Sequence, residues 1–174
     1  RLDAVLTREP GGTATGERLR SLVLDLSAQP IAVRTEVLLM LAARAQHVAE
    51  VIEPALASGR DVVCDRFSGS TLAYQGYGRG LEPKELDELS RWASAGLEPD
   101  LVILLVVDAE VSDARRAKRG STDRIETEDA EFFSRVDEGF IAQAERDPSW
   151  RIVDGAGTVE EVAARVWQLV RDDD

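Results

Sequence analysis

From Leu101 to Val107 the chain reads Leu-Val-Ile-Leu-Leu-Val-Val, without a polar residue. Such a run is short for a core helix and rich in branched side chains, so it predicts a strand buried on both faces. Parallel sheets bury strands this way because their crossover connections lay helices on both sides. Pro99-Asp100 leads into the run and Asp108 closes it. Ala4–Thr7, Val62–Cys64 and Arg151–Asp154 are shorter strand candidates bounded by polar or Gly-rich segments. Strands alternating with helical patterns predict an α/β fold with a parallel sheet.

The helical segments are legible from spacing and punctuation. Glu17–Leu26 places Leu19, Leu22, Val23 and Leu26 on one face, and Gln29-Pro30 breaks it. Thr35, followed by the acid Glu36, is expected to cap a long helix running to about Ser58, with Gly59 as its stop. Pro54 should kink or restart that helix. Pro83–Ala95 carries Leu86, Leu89, Trp92 and Ala93, and Gly96 ends it. Glu131–Ala144 sets Phe133, Val136, Phe140 and Ala144 at core spacing. Thr158 and Glu161 form a capping box for a last helix through Val170, with Trp167 expected in its core face. No repeat or linker divides the 174 residues, so a single domain is expected.

Chemistry concentrates between Asp61 and Gly80. Asp65 and Arg66 stand side by side at the end of a strand, where open parallel sheets bind ligands. Ser68, Ser70 and Thr71 follow, then Tyr74 and Gln75. Together they can hold a phosphate at one end and a polar heterocycle at the other. Met40, Arg44 and His47 share a helix face, and an arginine on an apolar stripe needs a partner. His47 has no second metal-type ligand near it in sequence and reads as structural. Cys64, in a strand, reads as an inert core thiol. Arg115, Arg116, Lys118, Arg119 and Arg124 crowd a Gly120-Ser121-Thr122 loop in an otherwise acidic chain. They predict a mobile segment that closes over polyphosphate.

A net charge of −12 argues against a nucleic-acid partner, which calls for a basic face. A lone cysteine forms no internal disulfide and suits a reducing compartment. No apolar run approaches the ~20 residues of a membrane span, and the chain reads as cytoplasmic.

The motifs occur in the order found in one family. Thr7-Arg8-Glu9-Pro10-Gly11-Gly12-Thr13, Gly16-Glu17 with Arg20, and Thr35-Glu36 to Arg44 come first. Asp65-Arg66-Phe67, Ser70-Thr71-Leu72-Ala73-Tyr74-Gln75-Gly76, Pro99-Asp100 and Asp123-Arg124-Ile125-Glu126 follow. Over essentially its whole length the chain resembles thymidylate kinase of the bacterial type, within the P-loop kinase group. The resemblance implies a three-layer parallel sheet flanked by helices. It also implies one nucleotide-kinase domain over residues 1–174, with a mobile basic lid at about residues 112–126. The family opens on a strand and a phosphate loop, G-x-x-x-x-G-K-[ST], which this sequence does not contain. About 30 upstream residues are therefore expected to be absent, leaving a gap in the sheet and an inactive fragment.

The resemblance also implies roles. Arg66 would bind the phosphate of the monophosphate substrate, and Asp65 would face Mg²⁺ through water. Arg8 and Arg20 would lie near the same phosphate and sugar, with Glu9 and Pro10 along that side. Arg44 would hydrogen-bond a thymine carbonyl, Thr71 and Gln75 would read the base edge, and Tyr74 would sit against the deoxyribose near Ser70. Met40 stands where the family usually has Phe stacked on thymine. Arg116, Arg119 and Arg124 would act from the lid. ATP and dTMP would be the substrates, Mg²⁺ the metal, and a homodimer the assembly. Two rival readings are a kinase of another deoxynucleotide and a non-catalytic relative that has lost its phosphate loop.

Overall fold

The computed structural model describes residues 3–26, 30–108, 111–112 and 123–172. They fall into two compact units. One holds the chain up to Glu98 together with Asp123–Phe140, and the other takes the chain from Pro99 and from Ile141 onward.

In the first unit, β1 (Ala4–Arg8) pairs in parallel with β2 (Asp61–Asp65), with Leu6 opposite Val63 and Arg8 opposite Asp65. Parallel pairing needs a crossover, which here is helical. Helix α1 (Ala14–Leu24) starts at Thr13, whose side chain accepts from the Gly16 amide. Helix α2 (Val33–His47) passes through a widened turn, Val48–Ile52, into the short α3 (Glu53–Ala57). The widened turn accommodates Pro54. A proline lacks the N–H of a helical bond and its ring crowds the carbonyl four residues back. Here the Glu53 amide reaches to the Val48 carbonyl instead, relaxing the turn just before the proline. The helix therefore continues to Ser58, and Gly59 terminates it at φ +76°.

Thr35 is not the cap. Helix α2 begins at Val33, with Ala32 before it making no side-chain cap bond. The Glu36 amide already bonds to the Ala32 carbonyl, so Thr35 lies inside the first turn, exposed.

After β2 come α4 (Ser68–Thr71), a second widened stretch (Leu72–Gly78), and α5 (Pro83–Ala93). Helix α6 (Ala130–Arg146) contributes its portion up to Phe140 to this unit. One core cluster joins Val23, Ala73, Ile125, Phe132 and Val136, with Met40 and Tyr74 against it. A second joins Val37, Leu41, Leu86 and Ala93. Gly78 allows α6 its close approach, since a Cβ there would stand 2.7 Å from the Phe132 ring. The core residues of α6 include Phe132 and Val136, with Phe133 only half-buried.

In the second unit, β3 (Val102–Val106) pairs in parallel with β4 (Trp150–Asp154). Helix α7 (Val159–Asp172) follows. The Thr158–Glu161 capping box is formed in both directions, at 2.8 and 3.3 Å. Trp167 is half-exposed rather than core.

The α/β class with parallel strands is as expected, but the strands are not buried on both faces. Leu6 is 79 % exposed and its register partner Val63 is exposed too, while Val5, Val62 and Cys64 are half-buried. Leu105, Val106 and Ile152 are likewise exposed. Among the described residues each ladder has two strands; β1–β2 has one better-covered face, whereas in β3 the successive residues Leu105 and Val106 are exposed on opposite faces. Leu22 is exposed as well, so α1 buries a narrower stripe than its spacing suggests, and Leu26 lies beyond the helix, which ends at Leu24. Trp92, at 82 % exposure, and Leu89 also lie outside the core, where α5 buries Leu86, Ser90 and Ala93.

Candidate active site

The carboxyl ends of β1 and β2 lie together, so the register that pairs Arg8 with Asp65 also brings Glu9 and Arg66 to one edge. The Glu9 amide donates to the Asp65 carbonyl at 2.9 Å, extending the ladder by one bond. Asp65 and Arg66 are both exposed. Arg66 has φ +69°, the left-handed region that a side-chain-bearing residue rarely adopts. Its guanidinium stands 5.0 Å over the Tyr74 ring, with Ser70 Oγ 3.5 Å away. Strain of this kind persists where the surroundings hold a residue for use.

The loop after β1 wraps the same edge. Arg8, half-exposed, donates to Glu17 at 3.3 Å, and Glu17 also accepts from the Gly12 amide at 3.1 Å. The Gly12 bond, followed by the Arg8 and Arg20 charges, outweighs partial burial and holds the Glu17 carboxyl below its ordinary value. Arg20 donates to the Pro10 carbonyl at 3.0 Å, and the Glu9–Pro10 peptide is cis.

Beneath the edge lies a buried polar chain. Arg44 is 3 % exposed. Its Nε donates to Glu9 Oε2 at 2.8 Å, Nη2 to Thr71 Oγ1 at 3.1 Å and Nη1 to Ser90 Oγ at 3.3 Å. Its face lies 5.0 Å from the Phe67 ring. His47 is fully buried and bridges Glu9 Oε1, 3.0 Å from Nδ1, to Thr7 Oγ1, 2.6 Å from Nε2. The partner an apolar-stripe arginine requires is thus Glu9, which sequence reasoning placed only as a lining residue.

Glu36 anchors a second network. It is 1 % exposed. It accepts from Gln75 Nε2 at 2.8 Å, from Arg124 Nη2 at 2.5 Å and from Arg79 Nη2 at 3.2 Å. Arg79 also binds Glu128 at 2.6 Å, and Arg124 donates to the Val23 carbonyl at 2.8 Å. Burial pushes the Glu36 carboxyl up, but bonds from Arg124, Gln75 and Arg79 outweigh it and hold the group below 4.5. Sequence reasoning missed Glu36 and Arg79. The signal was the helix stripe Glu36, Met40, Arg44, His47, in which every fourth or third residue is polar or soft.

Thr71 and Gln75, expected at the base edge, are both buried and bonded to Arg44 and Glu36. Arg124 stands in the Glu36 network. Met40 is half-buried against the core that includes Tyr74. Arg115, Arg116, Lys118 and Arg119 lie outside the described residues, as does Gln29. Burial, followed by the Glu9 and Asp65 charges, pushes the Cys64 thiol up to about 12, which keeps it protonated, although Cys64 is half-buried rather than in the core.

A family model described as thymidylate kinase matches residues 1–166. The chain belongs to the thymidylate kinase family. It is 46 % identical to the thymidylate kinase of Ectopseudomonas mendocina, over 97 % of this chain and 81 % of the relative. The corresponding protein of Pseudomonas putida is 48 % identical over 92 % and 77 %, and that of Paraburkholderia xenovorans 46 % over 95 % and 80 %. Thymidylate kinases thus match this chain along the edge that carries Arg8, Glu9, Asp65 and Arg66 and along the helix that carries Arg44 and His47. No helix among the described residues is long and apolar enough to cross a membrane.

Proposed function

We propose that this thymidylate kinase family member transfers the γ-phosphoryl group of ATP to dTMP, with the monophosphate seated at the carboxyl edge of β1 and β2. The observation that carries the seat is the pair Asp65–Arg66 at that edge, with Arg8 at the end of β1 and Arg20 on α1, bonded to the Pro10 carbonyl of the loop between them. An oxygen of the dTMP phosphate attacks the γ-phosphorus, the bond to the β-bridging oxygen breaks, and dTDP and ADP result. The attacking oxygen is already anionic, so the site needs no general base. It needs cations held in place while two phosphates approach. Arg66 supplies a planar fork that can grip phosphate in two places.

Tyr74, against which Arg66 rests, would meet the sugar, with Ser70 beside it. Arg44 would offer its terminal N–H groups to a thymine carbonyl, beside Met40, Thr71 and Gln75. Arg116, Arg119 and Arg124 remain candidates for the closing segment. The residues fit Mg²⁺, which usually keeps several waters and takes one or two carboxylates plus substrate phosphates. Asp65 is an exposed carboxylate at the edge, and among the described residues no three acids, histidines or cysteines are grouped so as to hold a metal ion. Asp65 would hold the ion through water, and the ion would neutralise charge on the phosphoryl oxygens.

Turnover on dTMP should exceed that on dUMP, dCMP and thymidine in steady-state assays. One methyl separates dTMP from dUMP, worth only about 1–3 kcal/mol, so that ratio should be the smallest. A preference for thymidine would reject the reading. Cytoplasmic action is part of the same proposal and is in keeping with the two nucleotide substrates.

A homodimer belongs to the same proposal, supported by the exposed apolar side chains of Leu38 on α2 and Leu89 and Trp92 on α5. Sedimentation should give twice the chain mass, and Leu38→Glu with Trp92→Glu should halve it. An unchanged mass would remove these helices from the interface.

A further inference from the structure

The buried chain under the site holds more polar groups than a salt bridge to Arg44 requires. Glu9 divides its oxygens, Oε2 to Arg44 and Oε1 to His47, and His47 passes the contact on to Thr7. A carboxylate has no proton to give, so Nδ1 carries the hydrogen in the His47–Glu9 bond. In the neutral imidazole Nε2 is then the acceptor, and the Thr7 hydroxyl donates to it. Each group in the line thereby fixes the orientation of the next, from β1 through α2 to the guanidinium.

The loop backbone is built around this arrangement. Gly12 has φ +77°, and a Cβ there would stand 2.6 Å from His47 Cδ2 and 2.8 Å from Thr7 Oγ1. The phosphate-side loop therefore closes directly on the imidazole. Arg44, for its part, commits Nε to Glu9 and one hydrogen of each terminal nitrogen to Thr71 and Ser90. Each terminal nitrogen keeps a second hydrogen, and the direction of both depends on how Glu9 is held.

We propose that His47 is a positioning residue for nucleobase recognition, locking Glu9 so that the Arg44 guanidinium presents its free N–H groups to a base carbonyl. This rests on the reading of Arg44 as the group facing the base. A guanidinium only donates, so a fixed one favours the carbonyl of thymine over the amino group of cytosine. A guanidinium free to tilt loses that preference before it loses charge.

The test is calorimetric binding of dTMP and dCMP to the intact protein and its variants, with melting temperatures recorded for each. Glutamine places its amide nitrogen where Nε2 was and leaves Glu9 without its donor, whereas asparagine places it where Nδ1 was. H47Q should weaken dTMP about tenfold while changing dCMP by less than about twofold, and H47N should hold dTMP within about threefold of the parent. Equal losses for both nucleotides, no loss in H47Q, or an H47N as weak as H47Q would each overturn the proposal. Should H47Q fail to fold, T7V removes the far end of the line. It should weaken dTMP about threefold and leave dCMP unchanged, and a flat result overturns the proposal equally. R44K separates the two layers. Weakened dTMP binding in R44K beside a flat H47Q overturns the positioning alone, and unchanged binding in R44K overturns the reading of the base site with it.

Discussion

Arg66→Ala should lower kcat by about 10²–10³-fold, the cost of deleting one preorganised donor to transition-state charge. The loss should appear in catalysis and not in folding. Arg66 is exposed, the hydrogen bond of its guanidinium to Ser70 is long at 3.5 Å, and the guanidinium otherwise rests on the Tyr74 face. Little structure hangs on it, and its backbone is strained at φ +69°. Arg66→Gly should therefore unfold at higher urea than Arg66→Ala, by about 1 kcal/mol, because glycine adopts a left-handed φ freely. Both should be equally poor kinases. Arg66→Lys restores a charge but not the planar fork and should recover only part of the rate. Steady-state kinetics beside urea titration reads all of this. An Arg66→Ala protein that turns over normally would mean the phosphate is bound elsewhere.

The residues legible from sequence were those whose role is local. Gly59 ends its helix and Thr158 pairs with Glu161, because caps are settled by a few neighbouring positions. Asp65 and Arg66 were found because a strand followed by charge marks the carboxyl edge of a parallel sheet. The strand faces were misjudged for the opposite reason. An unbroken apolar run states that burial is possible on either side, and only the neighbouring elements decide which side is covered. Leu6 and Val63 ended on the uncovered side of β1 and β2. Thr35 looked like a cap because Glu36 beside it looked like an acid serving a helix N-terminus. The helix dipole is the lesser use of that carboxylate. Its partners, Arg79 and Arg124, lie 43 and 88 residues away in sequence. Local spacing carries no information at that distance, and the same holds for Glu9, 35 residues from Arg44.

Those distant partners make Glu36 the residue whose loss should unfold the protein most. Glu36→Leu is expected to cost about 3–5 kcal/mol in urea unfolding, the range for removing one member of a buried ion pair. The cost comes from what stays behind. Arg79 and Arg124 are mostly buried, and Gln75 is buried with its amide aimed at the missing oxygen. The surface pair Arg8–Glu17 is the control. Both members are half-exposed, so Glu17→Gln should cost at most about 1 kcal/mol although the distances are similar. Acid titration gives a second reading. The folded Glu36 carboxyl lies below its ordinary 4.5, so the stability it contributes is complete above that value and is lost as pH falls through the lower folded value. Glu36→Gln should therefore be weaker than the parent at neutral pH and fall less steeply on the acid side. Parallel acid limbs for the two proteins would show that the Glu36 charge is not what joins α2 to the segments carrying Arg79 and Arg124.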